Sequence, residues 1–334
     1  MHRSWTLQTR PGARMPQVDD FELQSAPVMS GVGEGEVLIR NLYLSLDPYM
    51  RWRLNDAKSY APPVGIGEVM VGATIGEVME SGHSDFMPGD HVVAPGGWQS
   101  HARLSGAHLR RIDAGKLPLS VFLGVLGSPG FTAWAGLRHI GKPVAGETVV
   151  VGAATGPVGA MVGQLAQVAG CRTVAICGGP EKVRLARKTL GFDAAIDHRD
   201  PAFATLLALE CPCGIDVYFE NIGGKVLEAA RPLLNDFARI PVCGLVSQYN
   251  APGETVDLAP FMQDILVKRL TWKGFIVTDF QSDFPTFLSE VTPLVEAGTV
   301  RFVEDIREGL ELAPQALIDV LQGNNRGKMV LSLG

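Results

Sequence analysis

Residues Glu147-Thr-Val-Val-Val-Gly-Ala-Ala-Thr-Gly-Pro-Val-Gly-Ala160 decide how this chain folds. A β-branched run ends in small residues, and a helical pattern starts at Pro157. That order predicts a strand, a tight turn and a helix, the opening of a dinucleotide-binding unit. Gly156 is expected to take φ > 0 in the turn, because glycine has no Cβ to oppose it. Gly159 is expected to let the helix approach the strand closely. Unpaired N–H groups at the helix start would then face a pyrophosphate. The motif reads Ala154-x-Gly156-x-x-Gly159, with alanine where the usual pattern begins with glycine. On the motif alone, a turn that merely packs is the alternative.

The surrounding sequence supports the first reading. Val158, Met161, Val162, Leu165, Ala166 and Ala169 recur at helical spacing and form one apolar face. Pro157 suits the first helical position, where its missing N–H costs nothing, and Gly170 ends the helix. Beyond it, strands are predicted at 172–177, 193–197, 215–220 and 237–243, and helices at 180–190, 202–209 and 225–234. Strands alternating with helices imply a doubly wound parallel sheet.

The end of the second strand selects the cofactor. An NAD site places a carboxylate there for the ribose 2′-OH. Here Cys177 is followed by Gly178-Gly179-Pro180-Glu181-Lys182. The glycines leave room for a 2′-phosphate and Lys182 supplies a charge, which favours NADP. A solvated lysine on a helix surface is the bland alternative.

From Gly35 to Ala107, short strands are separated by Gly, Pro and Asp, the texture of a small, mainly β domain. A helical segment beginning near Leu126 leads into the first strand of the sheet, so the junction is placed near residue 125. Net charge is −6 with no basic block, which disfavours nucleic acid and anionic membranes as partners. The uncharged stretch 148–171 is interrupted by Gly, Pro and Gln and does not read as a membrane span. The first residues lack the apolar core of a signal peptide. Five cysteines without a framework pattern point to reduced thiols and a cytoplasmic location.

Several separated motifs carry a family resemblance. They are Leu46-Asp-Pro-Tyr-Met-Arg51, Gly127-Ser-Pro-Gly-Phe-Thr-Ala133, Ala153-Ala-Thr-Gly-Pro-Val-Gly159, Tyr218-Phe-Glu-Asn-Ile-Gly-Gly224, Cys243-Gly-Leu-Val-Ser-Gln-Tyr-Asn250 and Gly323-Asn-Asn-Arg-Gly-Lys328. Over nearly its whole length the chain resembles zinc-independent members of the medium-chain dehydrogenase/reductase superfamily. Within it, the likeness is to the leukotriene B4 dehydrogenase / prostaglandin reductase group, with its curcumin reductase-like and alkenal reductase members. The resemblance implies an α/β protein with two domains. A GroES-like, mainly β catalytic domain would comprise residues 1–125 and 304–334, and a Rossmann NADP-binding domain residues 126–303. It further implies a homodimer joined through the Rossmann domain, and NADPH-dependent reduction of a double bond conjugated to a carbonyl.

The resemblance also implies roles for individual residues. Thr155, Gly156, Pro157, Val158 and Gly159 match the pyrophosphate loop. Gly178 and Lys182 match the 2′-phosphate site, where His198 stands in place of a frequent tyrosine. An imidazole there would act in a pH-dependent way. Asn221 matches a cofactor-contacting asparagine. Cys243, Gly244, Ser247 and Tyr249 would run along the nicotinamide, Phe275, Ile276 and Val277 would face its carboxamide, and Asn325 would reach the cofactor from the tail. Tyr249 matches the residue that binds the enone carbonyl oxygen, where a phenol would stabilise the enolate that forms. Without the family it reads as a loop tyrosine. Tyr49 would cover a flat enone, or pack the small domain as a turn aromatic. Asp47 and Arg51 read as structural partners.

No metal is expected. No cysteine precedes Cys171, and the seven histidines show no ligand spacing. No nucleophile elbow is present either, since Gly127-Ser128-Pro129-Gly130 lacks the required order. An NADPH quinone reductase and a non-catalytic NADPH-binding protein are the alternatives to an enone reductase. The substrate is expected to be a small apolar enone or enal. Residues 50–65, 250–262 and 275–285 are candidate pocket walls, with Met50, Trp52, Phe261, Met262 and Phe280 either lining a pocket or belonging to the core.

Overall fold

The computed structural model describes residues 1–250 and 258–334. The chain divides into two compact units. One comprises Met1–Leu123 with Glu304–Gly334, the other Gly124–Val303.

The second unit is built on six strands: β1 (Thr148–Gly152), β2 (Arg172–Cys177), β3 (Ala194–Asp197), β4 (Ile215–Phe219), β5 (Leu234–Val242) and β6 (Thr271–Gly274). All pair in parallel, in the order β3-β2-β1-β4-β5-β6. Its helices are α1 (Ser128–Gly136), α2 (Pro157–Val168), α3 (Pro180–Lys188), α4 (Phe203–Glu210), α5 (Gly224–Ala230), α6 (Leu258–Lys268) and α7 (Phe284–Glu296). This is the expected doubly wound sheet. Every residue of β1 is buried, as a parallel strand covered on both faces requires.

Small residues set how closely α2 lies on the sheet. A Cβ on Gly159 would stand 2.5 Å from the Ala153 carbonyl oxygen and 2.7 Å from Ala154 Cα. One turn on, Gly163 leaves space for the Phe192 ring, which a Cβ would meet at 2.1 Å. Buried Gln164 ties the helix to the end of the unit, donating to the Arg301 carbonyl at 2.9 Å and accepting from its N–H at 2.7 Å. Gly170, with φ +80°, follows the helix end as predicted.

The turn before α2 differs from expectation. Gly156 has φ −72° and ψ 167°, the extended geometry of a helix N-cap. The left-handed residue is Ala153, at φ +51°. A bond from the Gly156 N–H to the Ala153 carbonyl, 2.9 Å long, closes the turn. An alanine there costs about 1–2 kcal/mol. Two boundaries moved by three residues or more. Helix α5 stops at Ala230, because Pro232 lacks an N–H and leaves a 3-10 turn over Arg231–Leu233. Strand β5 then starts at Leu234 and runs through Phe237, whose φ is +63°.

The first unit holds a seven-stranded mixed sheet and a two-stranded one. Glu36–Ser45 is its central strand, pairing antiparallel with Thr74–Ser81, His101–Ser105 and Lys328–Ser332. The chain's last strand therefore completes a sheet begun near its start. Buried charges anchor the segment between them. Lys328 is 2% exposed, and its ammonium donates to the Leu46 carbonyl at 2.8 Å, Asp47 Oδ1 at 3.0 Å and the Met329 carbonyl at 2.9 Å. Arg51 is fully buried and bonds Asn55 Oδ1 and the carbonyls of Gly12 and Arg14. Asp47 and Arg51 thus each bond to other parts of this unit and not to one another in these contacts.

Gly159→Ala should lower unfolding stability by about 1–3 kcal/mol, because the new methyl meets rigid backbone. Denaturant melts of both proteins measure this; equal midpoints would mean that the α2–β1 approach is not tight.

Candidate active site

The order of the sheet reverses between β1 and β4, and ligands of open parallel sheets bind outside the carboxyl ends of strands at such a point. The residues expected to hold cofactor in this unit follow the ends of β1 to β6. After β1, Thr155 is buried, and the first-turn N–H groups of Val158 and Gly159 lack acceptors within the helix.

After β2, Gly179 takes φ +92° and donates its N–H to Asp197 Oδ1 at 2.9 Å. The same oxygen accepts from the Arg199 N–H at 2.9 Å, so one carboxylate locks the β2 and β3 loops together. Those bonds and the neighbouring cations hold Asp197 below the usual carboxylate range, against the effect of burial. A Cβ on Gly178 would lie 3.0 Å from His198 Nε2 and 3.4 Å from the Arg199 guanidinium. Glycine at 178 thus keeps open a space flanked by His198 and Arg199. Lys182 stands in the first turn of α3, half-buried, and its charge reaches both Cys177 and His198. Burial, with Arg199 beside it, lowers the pKa of His198, so near neutrality its imidazole is mostly uncharged.

After β4, Asn221 donates from Nδ2 to the Gly152 carbonyl at 3.0 Å, joining the ends of β1 and β4. After β5 come Cys243 and Gly244, then a 3-10 turn, Val246–Gln248, ending at Tyr249. Burial and the nearby Glu220 push the Cys243 thiol up to about 12, so it stays protonated and inert as a nucleophile. Tyr249 is half-buried, and its hydroxyl lies 3.3 Å from where a Cβ on Gly244 would sit. A side chain at 244 would press on the phenol by a few tenths of an ångström. After β6, Phe275 is buried edge-on against Phe219 at 6.3 Å, so its side chain is core, while Ile276 and Val277 are half-buried.

Comparison with known proteins fixes the family. A sequence model described as "N-terminal domain of oxidoreductase" matches residues 3–112, and one described as "Zinc-binding dehydrogenase" matches residues 157–292. The chain is 49% identical to the NADPH-dependent curcumin reductase of Escherichia coli (strain K12), over 99% of this chain and 96% of that protein. It is 39% identical to the NADP(+)-dependent 2-alkenal reductase of Nicotiana tabacum, over 95% and 93% of the two. The crystal structure of CurA in complex with NADPH from Vibrio vulnificus superposes with a TM-score of 0.94 at 47% identity, covering 99% of each chain. The chain belongs to the medium-chain dehydrogenase/reductase superfamily. Within it, the protein falls in the curcumin reductase and alkenal reductase group, as its motifs implied.

Two expected residues of this medium-chain reductase lie in the first unit. Tyr49 is half-buried against a core that includes Met50, Leu54 and Leu46, and burial raises its pKa. Asn325 donates to the Gly327 carbonyl at 2.7 Å, shaping the turn before the last strand. Of the candidate pocket residues, Met50 is core, Phe280 stacks on the His139 ring at 4.5 Å, and Met262 is exposed on α6. Residues 251–257 of the expected 250–262 wall lie outside the described residues. Among the described residues, no three or more His, Cys, Asp or Glu side chains gather to hold a metal ion, and no helix is long and apolar enough to cross a membrane.

Sequence reasoning missed Arg199 and Glu220. Arg199 directly follows His198 in Asp197-His198-Arg199, and a second cation beside the diglycine turn was its available signal. Glu220 sits inside a quoted motif, but a carboxylate there reads as solvent-facing rather than fully buried.

Proposed function

We propose that this protein reduces the carbon–carbon double bond of α,β-unsaturated ketones or aldehydes with NADPH. The observation that carries the reading is the Tyr249 hydroxyl beside Gly244 beyond β5, on the strand ends that also present the α2 N-terminus and the diglycine turn. Relatives named curcumin reductase and 2-alkenal reductase support the substrate class.

The residues fit NADPH. The space beside Gly178 that a Cβ would fill, flanked by His198 and Arg199 and with Lys182 close by, suits a 2′-phosphate. Thr155, Gly156, Pro157, Val158 and Gly159 would hold the pyrophosphate against the helix start, and Asn221, Cys243, Gly244 and Ser247 the nicotinamide end, with Phe275, Ile276 and Val277 as further contacts. When bound, NADPH supplies a hydride to the β-carbon of the enone. Negative charge then moves to the carbonyl oxygen. The Tyr249 phenol donates a hydrogen bond there, worth most when charge has formed. A proton at the α-carbon completes the reaction. A placed donor is what an enolate needs and a quinone reductase does not, so Tyr249 favours the enone reading over quinone reduction and over binding without turnover.

Two further parts of the reading concern the whole molecule. β6 is the edge of its sheet, and α6 exposes Leu258, Met262, Leu266 and Val267. An edge strand beside apolar surface is a template for pairing, which supports a homodimer through this unit. The five cysteines are free thiols, which supports a cytoplasmic protein.

Tyr249→Phe should lower single-turnover enone reduction by ~10²-fold or more while NADPH binding stays nearly intact. Stopped-flow absorbance and a binding titration measure the two quantities; an unchanged rate removes Tyr249 from the chemistry.

Lys182→Ala should weaken NADPH far more than NADH, which has no 2′-phosphate. Loss of a charge-assisted bond costs roughly 1.5–3 kcal/mol, or about 10- to 150-fold in affinity, less if Arg199 compensates. Dissociation constants at one low ionic strength test it. Equal weakening of both cofactors would locate Lys182 outside the 2′-phosphate site.

A further inference from the structure

Glu220 takes no part in the reduction described above, yet it is fully buried where β4 ends. Its main chain and side chain point at different segments. The N–H donates to the Pro241 carbonyl at 3.0 Å, and the carbonyl accepts from Cys243 N–H at 2.9 Å and Gly244 N–H at 3.1 Å. Carboxylate Oε1 accepts from Ile222 N–H at 2.6 Å and Gly223 N–H at 2.8 Å. The fully buried Tyr218 phenol lies near the carboxyl group, and neither its hydroxyl nor Glu220 Oε2 has a hydrogen-bond partner. Among the described residues Glu220 forms no ion pair.

The turn closed by this carboxylate supports the chain beyond β5. Val246 N–H donates to the Asn221 carbonyl at 3.1 Å. Ser247 gives the Ile222 carbonyl two bonds, from its N–H at 3.0 Å and from Oγ at 2.5 Å. Those carbonyls can face the 3-10 turn because their own peptide N–H groups are turned inward, onto Glu220. Inward N–H groups away from water need an acceptor. Side-chain oxygen is the acceptor that this position supplies.

We propose that Glu220 is a positioning residue: its carboxyl group fixes the 221–224 turn in the form whose carbonyls hold Val246 and Ser247, and so sets where the Tyr249 hydroxyl lies. The proposal rests on the reading of Tyr249 as donor to the substrate carbonyl. Burial raises the pKa of Glu220, while the backbone N–H groups and Tyr218 lower it. The role belongs to the acceptor oxygen rather than to the charge, so a carboxamide should perform it.

The test compares Glu220→Ala, Glu220→Gln, Tyr249→Phe and the Glu220→Ala/Tyr249→Phe double variant. Single-turnover enone reduction and amide hydrogen exchange of the cofactor-free proteins are the readouts. Glu220→Ala should reduce the rate by about 10- to 100-fold and speed exchange at both 221–224 and 244–249. Glu220→Gln should restore the rate to within about threefold and restore protection. The double variant should be no slower than Tyr249→Phe alone, because both changes act on one group. Unchanged exchange at 244–249, no rescue by glutamine, or additive losses would each overturn the proposal. A Tyr249→Phe protein of full activity would instead overturn the reading of Tyr249, leaving exchange to decide whether Glu220 holds the segment. Should Glu220→Ala not fold, Ser247→Ala removes one bond of the same support at an exposed site. It should speed exchange at 244–249, and unaltered exchange there would count against the proposal.

Discussion

The reversal of strand order between β1 and β4 is the constraint on which the site depends. In a parallel sheet each crossover is right-handed, so helices following β1 and β4 leave toward opposite faces. No crossover covers the gap between those two strand ends. Backbone polar groups at the gap must then be satisfied by loops, by side chains or by a ligand. Asn221 bridges it with a 3.0 Å bond to the Gly152 carbonyl, and α2 starts just beyond β1 with first-turn N–H groups that have no acceptor within the helix. The proposed pyrophosphate site would follow from the same topology as the fold.

Close approach does the remaining positioning, through residues chosen for what they lack. Gly159 brings α2 onto the turn, Gly178 leaves room between His198 and Arg199, and Gly244 lies close to the Tyr249 hydroxyl. Buried polar groups fix the loops between these points. Asp197 joins two loops through one oxygen, and in the other unit Lys328 holds Asp47 at the head of the turn that carries Tyr49. Buried charges of this kind add little net stability, since desolvation offsets attraction, but removing one partner leaves the other stranded. Their value here is geometric.

Most of the second unit was legible in the sequence because its strands are apolar runs and its helices carry one apolar face. The β-branched run Thr148–Gly152, ending in small residues, reads as a strand. β6 was not read, because Thr271-Trp-Lys-Gly274 is an edge strand with three exposed residues and no apolar run. The positive φ was assigned to Gly156 by residue type, whereas the helix needs that position as an extended N-cap and transfers the strain to Ala153. Lys182 was visible from its neighbours in sequence. Arg199 and Glu220 were not, since their roles come from segments that meet only in the fold. Tyr249 was legible only through the family motifs, since its proximity to Gly244 arises in the fold.

The central claim is that hydride reaches carbon of the double bond rather than carbon of the carbonyl. The most direct measurement uses NADPH deuterated at the transferring position of C4 with a simple enone, and locates deuterium in the product by NMR. Deuterium at the β-carbon of a saturated ketone is the expected result. Deuterium on a carbinol carbon, with the double bond intact, would contradict the account.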